Sequence, residues 1–266
     1  MVAFAAASRS RPLISDPLFY AFAVPAVILV GLSKGGLGGA AGFIGVPLMA
    51  LASSPIQAAA ILLPILVLMD AVSLWSWRGR YDPLILRQTI PGSLLGIGLG
   101  WLTAAMVSPD MVRLLLGAVA IAFVGRWLIS LVRRTAQVRQ QPSAVKGSFW
   151  GLVSGYTSFV AHAGGPPFQV YTLPLGLDPR VFTSTGVYFF AFMNVVKLVP
   201  YFALGQFEAT NLMTSAALMP LAPVATLAGA WVVRRMRAEV FYPFTYGIMA
   251  IIAVKLVWDG AAAIIP

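Results

Sequence analysis

The sequence predicts an all-α polytopic membrane protein: an inverted repeat of two halves, each a pair of short (re-entrant or broken) helices followed by three full transmembrane helices. Three observations predict it. Of the 266 residues 59% are hydrophobic and only 10% are charged, with a mean hydropathy of +0.88, a composition that a soluble domain does not have. The apolar runs fall into two length classes. The landmarks of the first half recur, in order, in the second.

Six runs reach the ~20 residues that a helix needs to cross a bilayer core: 56–77, 84–106, 111–132, 181–204, 211–233 and 239–258. Four others, 18–32, 41–52, 148–161 and 166–176, would span only ~17–23 Å at about 1.5 Å per residue. They form two pairs, each joined by a glycine-rich break. The first break lies in Gly31–Pro47, GLSKGGLGGAAGFIGVP. The second lies in TSFVAHAGGPP, around His162.

A shift of 124 residues places Pro55 on Pro179, Leu51 on Leu175 and Asp70 on Asn194. Further along, Pro91 meets Pro220 and Gly100 meets Gly229 at 129, and Gly117 meets Gly247 at 130. A slowly growing offset is what a duplication with small loop insertions leaves. The expected organisation is an extramembrane segment at 1–17, a first transmembrane repeat at 18–132, a linker at 133–147 and a second repeat at 148–260. Residues 1–17 do not read as a signal peptide, because Arg9 and Arg11 follow the short apolar run there instead of preceding it.

Charge sets the expected orientation. Twelve of the 18 basic residues, among them Arg78, Arg80, Arg87, Arg126, Arg139, Lys146, Arg180, Arg234, Arg235 and Arg237, surround the central linker and three other connections. The connections near 107–110 and 205–210 carry only Asp110 and Glu208. Placing the Arg-rich loops in the cytoplasm makes 56–77 and its counterpart 181–204 run in opposite directions, as in inverted-repeat transporters. The expected location is the plasma (inner) membrane, with linker 133–147 cytoplasmic and both termini outside. The net charge of +10 thus follows the positive-inside pattern, and no nucleic acid partner is expected. The seven tryptophans all fall near span ends, where the membrane interface suits the ring. The chain has no cysteine, which excludes disulfides, thiolate metal sites and cysteine nucleophiles.

Non-helical backbone at membrane depth has to be satisfied by protein or by a water-lined cavity. A helix restarting after a break points free N–H groups and the positive end of its dipole at the gap, which suits an anion. The candidate anion-binding residues are therefore Gly35, Gly36, Gly38, Gly39 and Gly42 at the first break and Gly164 and Gly165 at the second. To these are added Lys34, His162 (the only histidine) and Gln169. Close helix packing is the competing reading for the glycines, and the preferred one for Gly92, Gly96 and Gly100. Asp70 and Lys197 are the ionisable residues deepest in full spans. With Asn194, the partner of Asp70, they are the candidates for proton or ion coupling. Asp70 could instead be the structural partner of an arginine. Gly38 and His162 are expected near each other at mid-depth, beside a pseudo-two-fold axis in the membrane plane.

These residues resemble the sulfite exporter TauE/SafE family, also called the toluene sulfonate uptake permease family. The resemblance rests on GGLGGAAGFIGVPLMAL at 35–51, Pro55 and Gln57, Asp70 followed by Arg78, IPGSLLGIGLG at 90–100 and HAGGPPFQVYTLPL at 162–175. It covers about 20 to 258. It implies a permease that moves sulfite, sulfonates, sulfoacetate-like compounds or other small organic anions. Family members often carry a longer glycine run; here Leu37 and the pair Ala40 and Ala41 interrupt it.

The leading expectation is a secondary anion transporter working by alternating access, with no cofactor and no metal. Its partners are a small anion, the lipid bilayer and a coupled H⁺ or Na⁺, and a homodimer is compatible with it. Two alternatives come from other classes. One is a passive anion channel. The other is an intramembrane hydrolase using Ser154 or Ser158 with His162, where the four-residue spacing of Ser158 and His162 would place both on one helix face.

Overall fold

The computed structural model describes residues 13–14, 16–36, 44–103, 106, 109–132 and 139–264. Among these, the chain forms α1 (Pro17–Gly36), α2 (Gly45–Met49), α3 (Pro55–Ser76), α4 (Pro83–Thr103), α5 (Pro109–Val132), α6 (Ala144–Ala161), α7 (Gly165–Thr172), α8 (Pro179–Ala203), α9 (Ala209–Leu218), α10 (Leu221–Arg235) and α11 (Ala238–Ile264), and no strand. α1, α3, α8 and α11 are long and apolar enough to cross a membrane; α9 and α10 qualify together.

Local chemistry explains several boundaries. α3 starts where the Ser54 hydroxyl accepts from the Gln57 N–H at 3.1 Å, with Pro55 in the first turn. That is the position where proline's missing donor costs nothing. α8 repeats the device with Asp178 and Pro179. α7 opens on Gly165, Pro166 and Pro167, as the second break predicts.

Three expectations need correction. The leading members of the short pairs are not short. α1 has 20 residues and α6 has 18, about 30 and 27 Å of helix. α6 gains its extra turn because Ser143 caps it inside the predicted linker. α1 continues through Gly35 and Gly36 because a neighbouring helix holds them. Next, predicted span 211–233 is two helices bent by 48°. Pro220 stands between them, where it can neither donate to the preceding turn nor avoid its carbonyl. Lastly, Trp77 is not an interfacial anchor. It is 1% exposed, and its Nε1–H donates to the Gly35 carbonyl at 2.7 Å.

The helices pack as cross-half pairs: α4 along α6, α1 along α10, α5 along α11 and α3 against α8. Exchanging the two halves maps this set onto itself. The first two pairs are built on glycine. A Cβ on Gly96 would lie 2.1 Å from the Leu152 carbonyl oxygen, and one on Gly92 1.9 Å from that of Ser148. On the other pair, a Cβ on Gly35 would lie 1.9 Å from the Thr226 oxygen, and one on Gly229 2.2 Å from that of Leu32. Backbones this close leave no room for any side chain. Gly96→Ala should therefore cost about 1–3 kcal/mol through forced backbone shifts. A thermal melt of the detergent-solubilised variant checks this, and an unchanged melting temperature would show that the two helices are not this close.

Candidate functional site

The second break is built by two side chains of α6, Thr157 and the Ser154 weighed above as a nucleophile. His162 ends α6 at φ 52°, ψ 26°, the left-handed region. Its N–H and that of Ala163 both turn back to the Thr157 carbonyl. The carbonyls released at the break are then collected by two hydroxyls. Thr157 Oγ1 lies 3.1 Å from Ala163 O, sharing its proton between that oxygen and the Val153 carbonyl at 2.8 Å, and Ser154 Oγ donates to Gly164 O at 2.6 Å. The helix that restarts is α7. Pro166 and Pro167 carry no N–H, so only the Gly164 and Gly165 amides remain among the first-turn donors that could face a ligand.

Beside this break lies a small cavity of about 30 Å³, room for about one water molecule. One wall is His162, Gly164 and Gly165; the others are Ser158 of α6, Leu66 of α3, Lys34 of α1, and Phe190, Asn194 and Lys197 of α8. Two lysines thus reach one buried place. Lys34 pairs with the Asp70 carboxylate and also lies 5.9 Å from the centre of the Phe190 ring. Lys197, 1% exposed, has only neutral partners among the described residues: its Nζ donates to Ser158 Oγ at 3.1 Å and to Ser158 O at 3.3 Å. A burial of this kind is expensive for an ammonium group unless a negative charge comes to it.

Asp70 and Asn194 touch: Asn194 Nδ2 donates to Asp70 Oδ2 at 2.6 Å, across 124 residues. They are the pair that the repeat equates. A contact between residues at equivalent positions is what a two-fold relation between the halves would place beside its axis. The same offset equates Ser73 with Lys197 and Lys34 with Ser158. In one half Ser73 Oγ donates to the Lys34 carbonyl at 3.4 Å; in the other Lys197 Nζ donates to that of Ser158 at 3.3 Å. The contact is kept while serine and lysine trade places. No identity search between the halves would align the two lysines, because each is matched to a serine.

The site candidates therefore divide. Lys34, His162, Gly164, Gly165, Asn194 and Lys197 come together in the cavity walls, with Asp70 bonded behind Lys34 and Asn194. The alternative that made Asp70 the structural partner of an arginine is not met: its partners are Lys34 and Asn194. Gly35 and Gly36 pack on α10, and their carbonyls accept from Trp77 and from Thr183 Oγ1, the latter at 2.9 Å. Gln169 is fully buried in α7 and is not a cavity wall. Gly38, Gly39 and Gly42 lie outside the described residues, and with them the expected approach of Gly38 to His162. The two serines of the hydrolase alternative are both engaged, Ser154 with the Gly164 carbonyl and Ser158 with Lys197.

A bundle of long apolar helices closing on buried charge is that of a multi-pass membrane protein. Residues 23–256 match the family model described as Sulfite exporter TauE/SafE, and the chain belongs to that family. Comparisons with curated proteins and with solved structures returned no match.

Proposed function

We propose that the protein is a secondary transporter of a small sulfur-containing or organic anion, sulfite or a sulfonate first among them, which binds beside Lys197 at the second break. The observation that carries this reading is Lys197 itself: a buried lysine on a cavity wall, with no carboxylate partner among the described residues, whose amine an incoming anion would hold in the charged form. The Gly164 and Gly165 amides and the His162 side chain complete the anion's surroundings. Because two prolines remove backbone donors here, most of the attraction comes from Lys197 and not from the helix dipole.

A water-sized cavity cannot admit an oxyanion of several heavy atoms without widening. That favours alternating access over a standing passive channel. The pseudo-two-fold contacts support an inverted repeat whose halves exchange conformations about the Asp70–Asn194 contact. Asp70, held between Lys34 and Asn194, is the candidate for coupling to H⁺. The Arg-rich side faces the cytoplasm of a plasma membrane.

Uptake of labelled sulfite or of a sulfonate into proteoliposomes tests the reading. Accumulation against a concentration gradient is the expected result. Folded protein that moves no small anion in either direction would overturn it.

A further inference from the structure

Four arginines converge at the far end of α1. A pocket of about 380 Å³ is lined by Ser76, Trp77, Arg78, Arg80, Arg180 and Arg234. Its arginines come from three separate places: the α3–α4 connection, the first turn of α8 and the last turn of α10. Arg180 Nη2 donates to the Arg234 carbonyl at 3.1 Å. Arg234 in turn donates to the Ser76 carbonyl and, at 2.7 Å, to its hydroxyl. Among the described residues none of the four guanidinium groups has a carboxylate within ion-pair distance. The nearby acids are used elsewhere: Asp178 caps α8, Asp82 caps α4, and Glu239 pairs with Arg237.

A preference for basic cytoplasmic loops explains the sign of each connection. It does not explain why three of them meet in one concavity without neutralising partners. Nor is the place neutral with respect to the inner cavity. The Arg234 guanidinium lies 5.1 Å from the centre of the Trp77 ring. The same indole donates to the Gly35 carbonyl, and the next residue back along α1 is Lys34, a wall of the inner cavity.

We propose that this pocket is a second anion site, an antechamber that gathers small oxyanions on the Arg-rich side before they reach the cavity beside Lys197. Only the hand-over rests on the function proposed above; the site itself stands on the arginines. Guanidinium groups bind oxyanions through paired N–H donors, and a concave cluster of one sign raises the local concentration of its counter-ion. A site of this kind should be tolerant of the anion's identity and sensitive to salt, leaving selectivity to the inner cavity.

The test uses the full chain in phosphatidylcholine nanodiscs at low ionic strength, with labelled sulfate as probe. Arg78 and Arg80 make no hydrogen bond within the protein among the described residues, and Arg78 only rests 5.9 Å from the centre of the exposed Trp75 ring, so R78Q/R80Q should melt close to the wild type. Sulfate binding should weaken ~10-fold or more in R78Q/R80Q, as the loss of two charge-assisted contacts implies, and should persist in K197Q. In proteoliposomes R78Q/R80Q should raise the KM for the transported anion several-fold, leave the maximal rate within about twofold, and flatten the dependence of KM on salt. Unchanged sulfate binding and unchanged KM in R78Q/R80Q would overturn the antechamber. So would sulfate binding that vanishes in K197Q alone, which would assign the probe to the inner cavity. A third arm uses phosphatidylglycerol nanodiscs. Sulfate should still bind there; its displacement would give the pocket to a lipid phosphate instead. Normal transport by K197Q with a raised KM in R78Q/R80Q would remove the inner site and leave the outer one standing.

Discussion

Lys197→Gln should lower anion uptake by ~100-fold or more while leaving the protein folded. The variant keeps a polar donor, one methylene shorter, and removes the charge. Two of the three ammonium protons are directed at the oxygens of one serine, which leaves one for a ligand. An anion drawn into a buried place without its counter-charge loses about 3–5 kcal/mol, roughly two to four powers of ten in affinity. The check is labelled sulfite or sulfonate uptake alongside a melting curve close to that of the wild type. Uptake within about threefold of wild type would place the anion elsewhere, and the glycine breaks would then have to act through their amides alone.

Asp70→Asn has the second large effect, and it falls on stability first. Lys34 would remain buried, 6% exposed, with an aromatic face and no carboxylate. Breaking a buried pair by removing one partner costs about 3–5 kcal/mol, a fall of roughly 10 °C or more in melting temperature for a chain of this size. The double variant Lys34→Gln/Asp70→Asn removes both charges and should recover most of that loss. If it melts as low as Asp70→Asn alone, the pair is not coupled. The recovered protein then addresses transport. It should exchange anion for anion yet fail to concentrate it when only a pH gradient is supplied. Accumulation that still follows the pH gradient would take Asp70 out of the coupling path.

Much of the fold was legible in the sequence because bilayer thickness and helical rise set run lengths directly. The offset of 124 already paired Asp70 with Asn194. It did not say that the two touch, since equivalence says nothing of distance from the axis. Lys34 and Lys197 were each visible as an ionisable group in an apolar stretch. Their convergence was hidden because neither is the other's counterpart. Trp77 was misplaced for a different reason. Closeness to a span end says how deep a ring lies and not which way it faces, and this one faces inward to satisfy the end of α1. Gly35 and Gly36 looked like the start of a break because glycine weakens isolated helices. Their conformation is held by α10, which exists only in the folded protein. The structural role of the Ser154 and Thr157 hydroxyls gave no signal: such residues are common in apolar helices, Ser154 stood out only as a nucleophile beside His162, and only the break's geometry brings the Gly164 and Ala163 carbonyls to them.

The contact between Asp70 and Asn194 bears on how such a chain could arise. Had the halves stayed separate and assembled as identical subunits, whatever stood at this position would have faced its own copy. Two aspartates would have to share a proton or repel, and two asparagines would leave Lys34 without a counter-ion. Joining the halves into one polypeptide lifts that obligation: one side can keep the acid while the other becomes its neutral amide. The same freedom lets lysine and serine trade places on either side of the cavity. A tandem of two first halves, identical in sequence, would carry two acids at the centre, each with a lysine of its own, and a serine at position 197, so that by this reasoning no ammonium would be left over to hold an anion.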